Sequence, residues 1–143
     1  MRLLPNVRLL ELASQLLPER IDSLDVCSIL VGRDELGATI KFQVTAHDDQ
    51  VLLVARWAVA QRARVVIVHN AHHDYTRISA AWRESVPGVD PIHVTVWGRL
   101  TPKNLRVLAD EAGVVVDDYG PVTINAWQLL AAVDGDPVAG RVS

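Results

Sequence analysis

The sequence Arg64-Val-Val-Ile-Val-His-Asn-Ala-His-His-Asp74 decides how we expect this chain to fold. It begins with an uninterrupted β-branched run, Val65 to Val68, which is typical of a strand buried on both faces. We therefore expect Val66 and Val68 to be almost fully buried. Three of the chain's five histidines follow, at the point where a central strand would give way to a helix. In open α/β sheets that junction is the usual position of a ligand.

The patterns on either side of this stretch predict an α/β fold. Residues 24–46 hold two strand-like runs around a polar turn, which predicts an antiparallel hairpin. Residues 74–85 have helical spacing, residues 92–97 alternate in polarity, and residues 114–116 form a short apolar run. Alternation of strands and helices favours parallel strands with right-handed crossovers. We predict a single mixed sheet, an N-terminal antiparallel hairpin plus parallel βαβ strands, with helices on both faces.

The boundaries of the domain follow from the distribution of apolar residues. A helix is predicted to begin at Thr101-Pro102, with Thr as the N-cap and Pro at the first helical position, and to end at Gly113. A last helix is predicted over residues 123–133. We expect residues 1–133 to form a single α/β domain and residues 134–143, which are rich in Gly, Pro and Asp, to form a flexible tail.

Composition limits the classes of function. Of the 143 residues, 50% are hydrophobic and 22% are charged, with a formal net charge of −3 and no basic stripe. Nucleic acid is therefore not an expected partner. No apolar run reaches the ~18 residues of a membrane span, and no signal peptide is recognisable. The single cysteine, Cys27, lies in an apolar run and is expected to be buried. These features together predict a cytoplasmic protein, in the bacterial host if the chain is phage-encoded.

The histidine-rich stretch is the first candidate site. His69, His72, His73 and Asp74 have the donor atoms that zinc prefers. Their spacing is not that of an established metal motif, and neighbouring histidines on a helix point about 100° apart. We expect no bound metal and no cofactor, because dinucleotide, phosphate-loop and serine-hydrolase motifs are also missing. A metal site at these four residues remains the alternative.

The ends of the predicted parallel strands are the second candidate site. If the strands share one direction, their C-terminal ends gather His69, Asn70, Arg99, Asp117 and Asp118 at one edge of the sheet. An imidazole, a guanidinium and carboxylates in one crevice suit the binding or hydrolysis of a polar substrate. In that hydrolase alternative, His69 and Asp117 are the catalytic residues.

Ligand binding without catalysis is the interpretation that we prefer for the same region. Trp97 alternates with Val94 and Val96, so it is either core or an exposed aromatic anchor. The predicted ligand-binding set is His69, Asn70, His72, His73, Trp97 and Arg99.

Part of the chain resembles a known family. The resemblance is carried by Asp22-Ser-Leu-Asp-Val-Cys-Ser-Ile-Leu-Val31, by the hairpin partner ending at Val44, by Val65 to Val68 and by Val94-Thr-Val-Trp-Gly-Arg99. Over residues 10–99 the chain is similar to an actinobacterial domain-of-unknown-function family that also occurs in actinophages. The family's preceding Leu-Gly-Phe element is missing here, and residues after Leu100 depart from its pattern. The family has no assigned activity, so the resemblance implies a source and a fold but no mechanism.

These patterns favour one functional hypothesis and leave two alternatives. The favoured one is a non-enzymatic accessory or interaction protein of actinobacterial or actinophage origin, which binds a protein partner or itself. The first alternative is a small hydrolase, metal-dependent or not, with its site at the strand ends. The second is a phage tail or neck structural subunit, which the predicted βαβ alternation suits poorly.

Overall fold

The computed structural model describes residues 4–16, 26–45, 50–70, 75–116 and 120–134. Within these ranges it contains four helices and six strands: α1 (Asn6–Leu16), β1 (Val26–Asp34), β2 (Gly37–Val44), α2 (Gln50–Gln61), β3 (Val65–Asn70), β4 (Tyr75–Glu84), β5 (Ile92–Leu100), α3 (Pro102–Ala112), β6 (Val122–Ile124) and α4 (Ala126–Asp134).

All six strands belong to one mixed sheet, in the order β1-β2-β5-β4-β3-β6. β2 and β5 are parallel to each other, and the other four neighbouring pairs are antiparallel. This confirms the predicted α/β class and its single mixed sheet. The predicted N-terminal hairpin is also present as β1 and β2. Its turn is stabilised by the Asp34 carboxylate, which accepts a hydrogen bond of 2.8 Å from the Leu36 backbone, and by Gly37, whose φ of 119° suits glycine.

The prediction of a helix over residues 74–85 is wrong, because Tyr75–Glu84 is strand β4. Apolar residues there recur at a helical spacing, but the burial alternates: Thr76, Ile78 and Ala80 are buried, and the residues between them are not. β4 pairs with β3 on one side and β5 on the other. The apolar spacing of this segment is compatible with a helix or a strand, and hydrogen bonding to two neighbouring strands determines that it is a strand. As a result β3 and β5 do run in the same direction, but β4 lies between them.

The predicted strand over residues 114–116 is also wrong. Gly113 ends α3 in a left-handed conformation, as expected, and residues 114–116 that follow are irregular. Val115 is 73% exposed. The last strand is instead β6, which pairs with β3. Of the predicted tail, residues 135–143 lie outside the described residues, and Asp134 is the end of α4.

The hydrophobic core lies between the helices and one face of the sheet. Trp57 of α2 is fully buried at its centre, with its ring centroid 4.8 Å from that of Phe42 and 6.1 Å from that of Trp82. Buried side chains from all four helices join alternate residues of the strands in this one core. We had predicted helices on both faces, whereas every described helix packs on this one.

One covered face explains why the prediction for Val66 and Val68 is wrong. Val65 and Ile67 are fully buried against the helices, whereas Val66 is half-buried and Val68 is 39% exposed. A β-branched run satisfies strand geometry whether one or two faces are covered, so the run alone did not reveal the uncovered face. Cys27 is likewise exposed, contrary to expectation.

Candidate functional site

The face of the sheet that points away from the described helices is the candidate site, and we call it the open face. On the three neighbouring strands β2, β5 and β4 its side chains lie in register and are mostly polar or aromatic. They are Thr39, Lys41 and Gln43 of β2, His93, Thr95, Trp97 and Arg99 of β5, and Tyr75, Arg77, Ser79, Ala81 and Arg83 of β4. The period-two alternation of each strand places them together.

Two arginine–aromatic stacks lie on the two middle strands of the open face, toward one end of these strands. The guanidinium carbon of Arg77 is 4.6 Å from the centroid of the Trp97 ring, and that of Arg99 is 4.7 Å from the centroid of the Tyr75 ring. Each stack joins β4 to β5 along a diagonal of the sheet. Both distances are within the range of cation–π attraction. The four side chains therefore alternate cation and ring across two strands.

The backbone at the edge of this cluster is fixed by the start of α2. The Gln50 side-chain oxygen accepts a hydrogen bond of 2.8 Å from the Arg99 backbone N–H. Gly98 makes this approach possible, because a Cβ there would lie 2.8 Å from Val44 Cγ2 and 3.0 Å from Gln50 Oε1. The Arg99 side chain projects from this anchored position onto the opposite, open face.

The open face is basic although the whole chain carries a formal net charge of −3. Four cations lie on it, namely Lys41, Arg77, Arg83 and Arg99. Among the residues of the described strands, Asp34 is the one carboxylate on the same face. The ion pairs within the described residues join Arg8 to Glu11 and Arg56 to Asp134, so none neutralises these four cations. The face thus carries a local excess of positive charge.

Arg77 is the most constrained of the four cations. Burial lowers the pKa of its guanidinium, and Tyr75 partly offsets that shift. Its Nε is buried and has no hydrogen-bond acceptor among the described residues. An arginine stays protonated under ordinary conditions, so Arg77 holds a partly desolvated charge without a counter-charge.

A groove of about 400 Å³ continues the open face toward the β1–β2 turn. Its lining includes Asp34, Leu36, Lys41, Arg83 and His93. The groove is within the size range of small-ligand sites. It lies at the opposite end of β4 and β5 from the two stacks, so the polar surface extends along the full length of these strands.

The structure brings together part of the predicted binding set. Trp97, Arg99 and Asn70 all lie on the open face, Asn70 being opposite Tyr75 in the β3–β4 pairing. His69 points to the helix side, where its Nδ1 shares a hydrogen bond of 3.0 Å with the buried Thr76 hydroxyl. The sheet therefore separates His69 from Arg99, and the predicted crevice does not hold both.

The remaining predicted residues do not lie in the described part of the chain. They are His72, His73, Asp74, Asp117 and Asp118. Among the residues that are described, no three His, Cys, Asp or Glu side chains are grouped as metal ligands would be. None of the described helices is long and apolar enough to cross a membrane.

Sequence reasoning missed Lys41, Tyr75, Arg77 and Arg83 as site residues. Three of these lie in β4, which we had predicted as a helix. The period-two pattern of Thr76, Ile78 and Ala80 was the signal that would have placed Tyr75, Arg77 and Arg83 on one face.

Comparison with known proteins finds no significant similarity to this chain. No protein-family model matches the chain, no curated protein is significantly similar in sequence, and no solved structure is significantly similar in fold. The resemblance to an actinobacterial family therefore stays a prediction, and the functional argument depends on the geometry of the open face.

Proposed function

We propose that this chain is a non-enzymatic interaction protein that binds a polyanionic partner on the open face of its sheet. The observation that supports this most is the set of four cations on that face without a carboxylate partner in the described residues. Clustered positive charge of this kind attracts and orients polyanions, even on a protein that is acidic as a whole.

The chemistry of the open face favours binding over catalysis. Its side chains are mainly guanidinium groups, aromatic rings and hydroxyls, which suit the binding of charged and planar groups. The hydrolase alternative has His69 and Asp117 as its catalytic residues, in a crevice shared with Arg99. Asp117 lies outside the described residues, and His69 and Arg99 lie on opposite faces of the sheet.

Retention on immobilised heparin tests the proposal, because heparin presents dense negative charge without bases or a protein surface. We expect the wild-type chain to be retained at neutral pH and about 50 mM salt, and to elute as salt screens the contacts. The double variant Arg77→Gln, Arg99→Gln should elute much earlier.

A matched control removes the same charge from the helix side. Lys103 and Arg106 are exposed on α3, so the double variant Lys103→Gln, Arg106→Gln has the same net charge as the open-face variant. It should elute with the wild type. Equal losses in both variants would indicate a non-specific charge effect, and no retention of the wild type would contradict the proposal.

Self-association through β1 is a second candidate, favoured by a separate observation. β1 is the longer of the two edge strands of the sheet, with nine residues, and its Ile29 and Leu30 are 38% and 62% exposed. Natural edge strands of this length are usually protected by charge, proline or a covering element. Pairing of two β1 strands about a two-fold axis would join two sheets and place both open faces on one side.

The mass of the particle in solution tests this second candidate. Light scattering after size exclusion should give a dimer for the wild type, and Leu30→Lys should shift the equilibrium toward the monomer because charge on an edge opposes pairing. Val7→Lys is the control, since Val7 is 65% exposed on α1. A monomeric wild type at high concentration would exclude the β1 interface.

A further inference from the structure

We infer that the polyanion bound by the open face is a single-stranded nucleic acid. This inference depends on the proposed function and adds the class of partner. It contradicts the expectation from the linear charge pattern, which disfavoured nucleic acid because the sequence has no basic stripe. The fold explains the difference. The four cations come from three different strands, so they are far apart in the sequence and form no basic run, but the sheet places them on one face.

Aromatic rings interleaved with arginines distinguish this surface from a simple anion site. Single-stranded chains expose their bases, which stack on aromatic side chains and on arginine guanidinium planes. Trp97 and Tyr75 are half-buried on the open face, each with a guanidinium over its ring. A base placed on such a guanidinium continues the stack, and the same arginine reaches the neighbouring phosphate. Sulfated sugars and acidic peptides would use the charge but not the stacking planes.

The cross-strand arrangement also fits a chain of phosphates. Arg77 lies directly opposite Arg99, and Arg83 lies directly opposite His93. The two rows are six residue steps apart, which corresponds to about 20 Å along the strands, at about 3.3 Å per residue. Lys41 lies between them, opposite Thr95 on the neighbouring strand. Positive charge therefore recurs along a line that a short single strand could follow, and the groove lies at the far end of that line.

The side chains between the charged rows can contact base edges. Gln43, Trp97 and Ser79 form one row across β2, β5 and β4. Amide and hydroxyl groups donate and accept hydrogen bonds, so they suit the exposed edges of unpaired bases. A duplex hides these edges in its grooves and its base faces in the stack. A broad sheet face does not enter a major groove, which admits a helix or a two-stranded ribbon. The surface should therefore prefer single strands to duplex.

The test measures fluorescence anisotropy of labelled oligonucleotides of about 12 nucleotides, a length within the usual range of single-strand sites. The probes are oligo(U), oligo(dT) and a DNA duplex of equal length, all at about 50 mM salt because affinity depends strongly on salt. We expect both single strands to bind more tightly than the duplex. A preference between oligo(U) and oligo(dT) would show whether the surface favours RNA, which carries the 2′-hydroxyl, or DNA, which carries the thymine methyl group.

Removal of one ring separates stacking from charge. Trp97→Leu leaves all four cations in place, so we expect it to weaken oligonucleotide binding about tenfold and to reduce retention on heparin far less. Trp127→Leu is the matched control, because Trp127 is 39% exposed on α4 at the helix side, and it should change neither. Tyr75→Leu provides a second test of the same kind if Trp97→Leu does not fold, and Trp97→Phe should restore most of the affinity.

Each outcome distinguishes the inference from the function on which it depends. Binding of heparin without preference for single strands would overturn the inference and leave the proposed function intact. Equal oligonucleotide affinity for wild type, Trp97→Leu and Tyr75→Leu would show binding by phosphates alone and would also overturn it. Binding of neither heparin nor oligonucleotide would contradict the proposed function itself.

Discussion

Arg77 on β4 lies directly opposite Arg99 on β5, and each guanidinium lies over a ring of the other strand. Like charges in directly opposed positions destabilise a sheet, by about 0.2–1 kcal/mol. Stacking on Trp97 and Tyr75 offsets part of this cost, because an exposed cation–π contact contributes about 0.5–1 kcal/mol. The pair therefore keeps two positive charges adjacent on an uncovered surface, where a bound anion would stabilise both.

Replacement of Arg77 should separate stability from binding. Arg77→Met removes the opposed charge and the buried Nε that has no described acceptor, and a thioether still packs on the Trp97 ring. An unsatisfied buried donor costs about 1–3 kcal/mol, so we expect the free energy of unfolding to rise by about 1 kcal/mol. The melting temperature should rise by about 4 °C, while retention on heparin falls.

The same substitution at Arg83 is the control for this stability gain. Arg83 is exposed on the same strand and the same face, so Arg83→Met should change the unfolding free energy by less than about 0.5 kcal/mol. A lower melting temperature for Arg77→Met than for Arg83→Met would show that Arg77 stabilises the free protein.

Neighbouring residues of β3 should differ sharply in their sensitivity to truncation. Ile67 is fully buried against the helices and Val68 is 39% exposed on the open face. Ile67→Ala should cost about 2–5 kcal/mol through lost burial and the remaining cavity, whereas Val68→Ala should cost about 0.5 kcal/mol. Urea unfolding monitored by circular dichroism measures both. Similar losses at the two positions would mean that the open face is covered in solution.

Local sequence signals predicted the parts of the fold that depend on local contacts. The Thr101 hydroxyl accepts a hydrogen bond of 3.2 Å from the Asn104 backbone, and Gly113 caps the other end of α3. Both roles depend on residues within one turn of the helix, so the sequence predicted them correctly. The β1–β2 hairpin was predicted for the same reason, because its turn residues adjoin its strands.

The missed features depend on which elements become neighbours. We assigned β4 to a helix because the spacing of its apolar residues is compatible with one. It is a strand because it pairs with β3 and β5, and that pairing is not visible in the sequence of the segment itself. The burial of Val65 and Ile67 instead of Val66 and Val68 depends on which side of the sheet the helices cover. For the site, Trp97 was identified because residues 92–97 alternate clearly, and Arg99 because it follows at the end of that strand. Their stacking partners lay in the misassigned segment.

Addition of one methyl group at Gly98 should disturb the core beside Arg99. A Cβ at Gly98 would lie 2.8 Å from Val44 Cγ2 and 3.2 Å from Gln50 Cβ, and both neighbours are held by the core or by α2. Overpacking of this kind costs about 1–3 kcal/mol. We expect Gly98→Ala to lower the melting temperature and to weaken heparin retention, since the Gln50–Arg99 hydrogen bond would shift.

Gly32 provides the control for this prediction. It lies in β1, and a Cβ built there has no atom within 4 Å. Gly32→Ala should leave stability unchanged or slightly higher, because alanine loses less backbone entropy than glycine on folding. If the two substitutions have equal effects on the melting temperature, the close contact at Gly98 does not constrain the sheet.

Metal content tests the alternative site at His69, His72, His73 and Asp74. Of these, His69 is the one that lies in the described residues, and its Nδ1 is hydrogen-bonded to Thr76 on the helix side of the sheet. We expect protein purified without chelator to contain no stoichiometric transition metal by elemental mass spectrometry, and its melting temperature to be the same with and without EDTA.

One metal ion per chain, together with a fall of several degrees in EDTA, would contradict this expectation. It would also favour the metal-dependent hydrolase over the interaction protein, and His69→Ala should then lose the metal while Trp97→Leu keeps it.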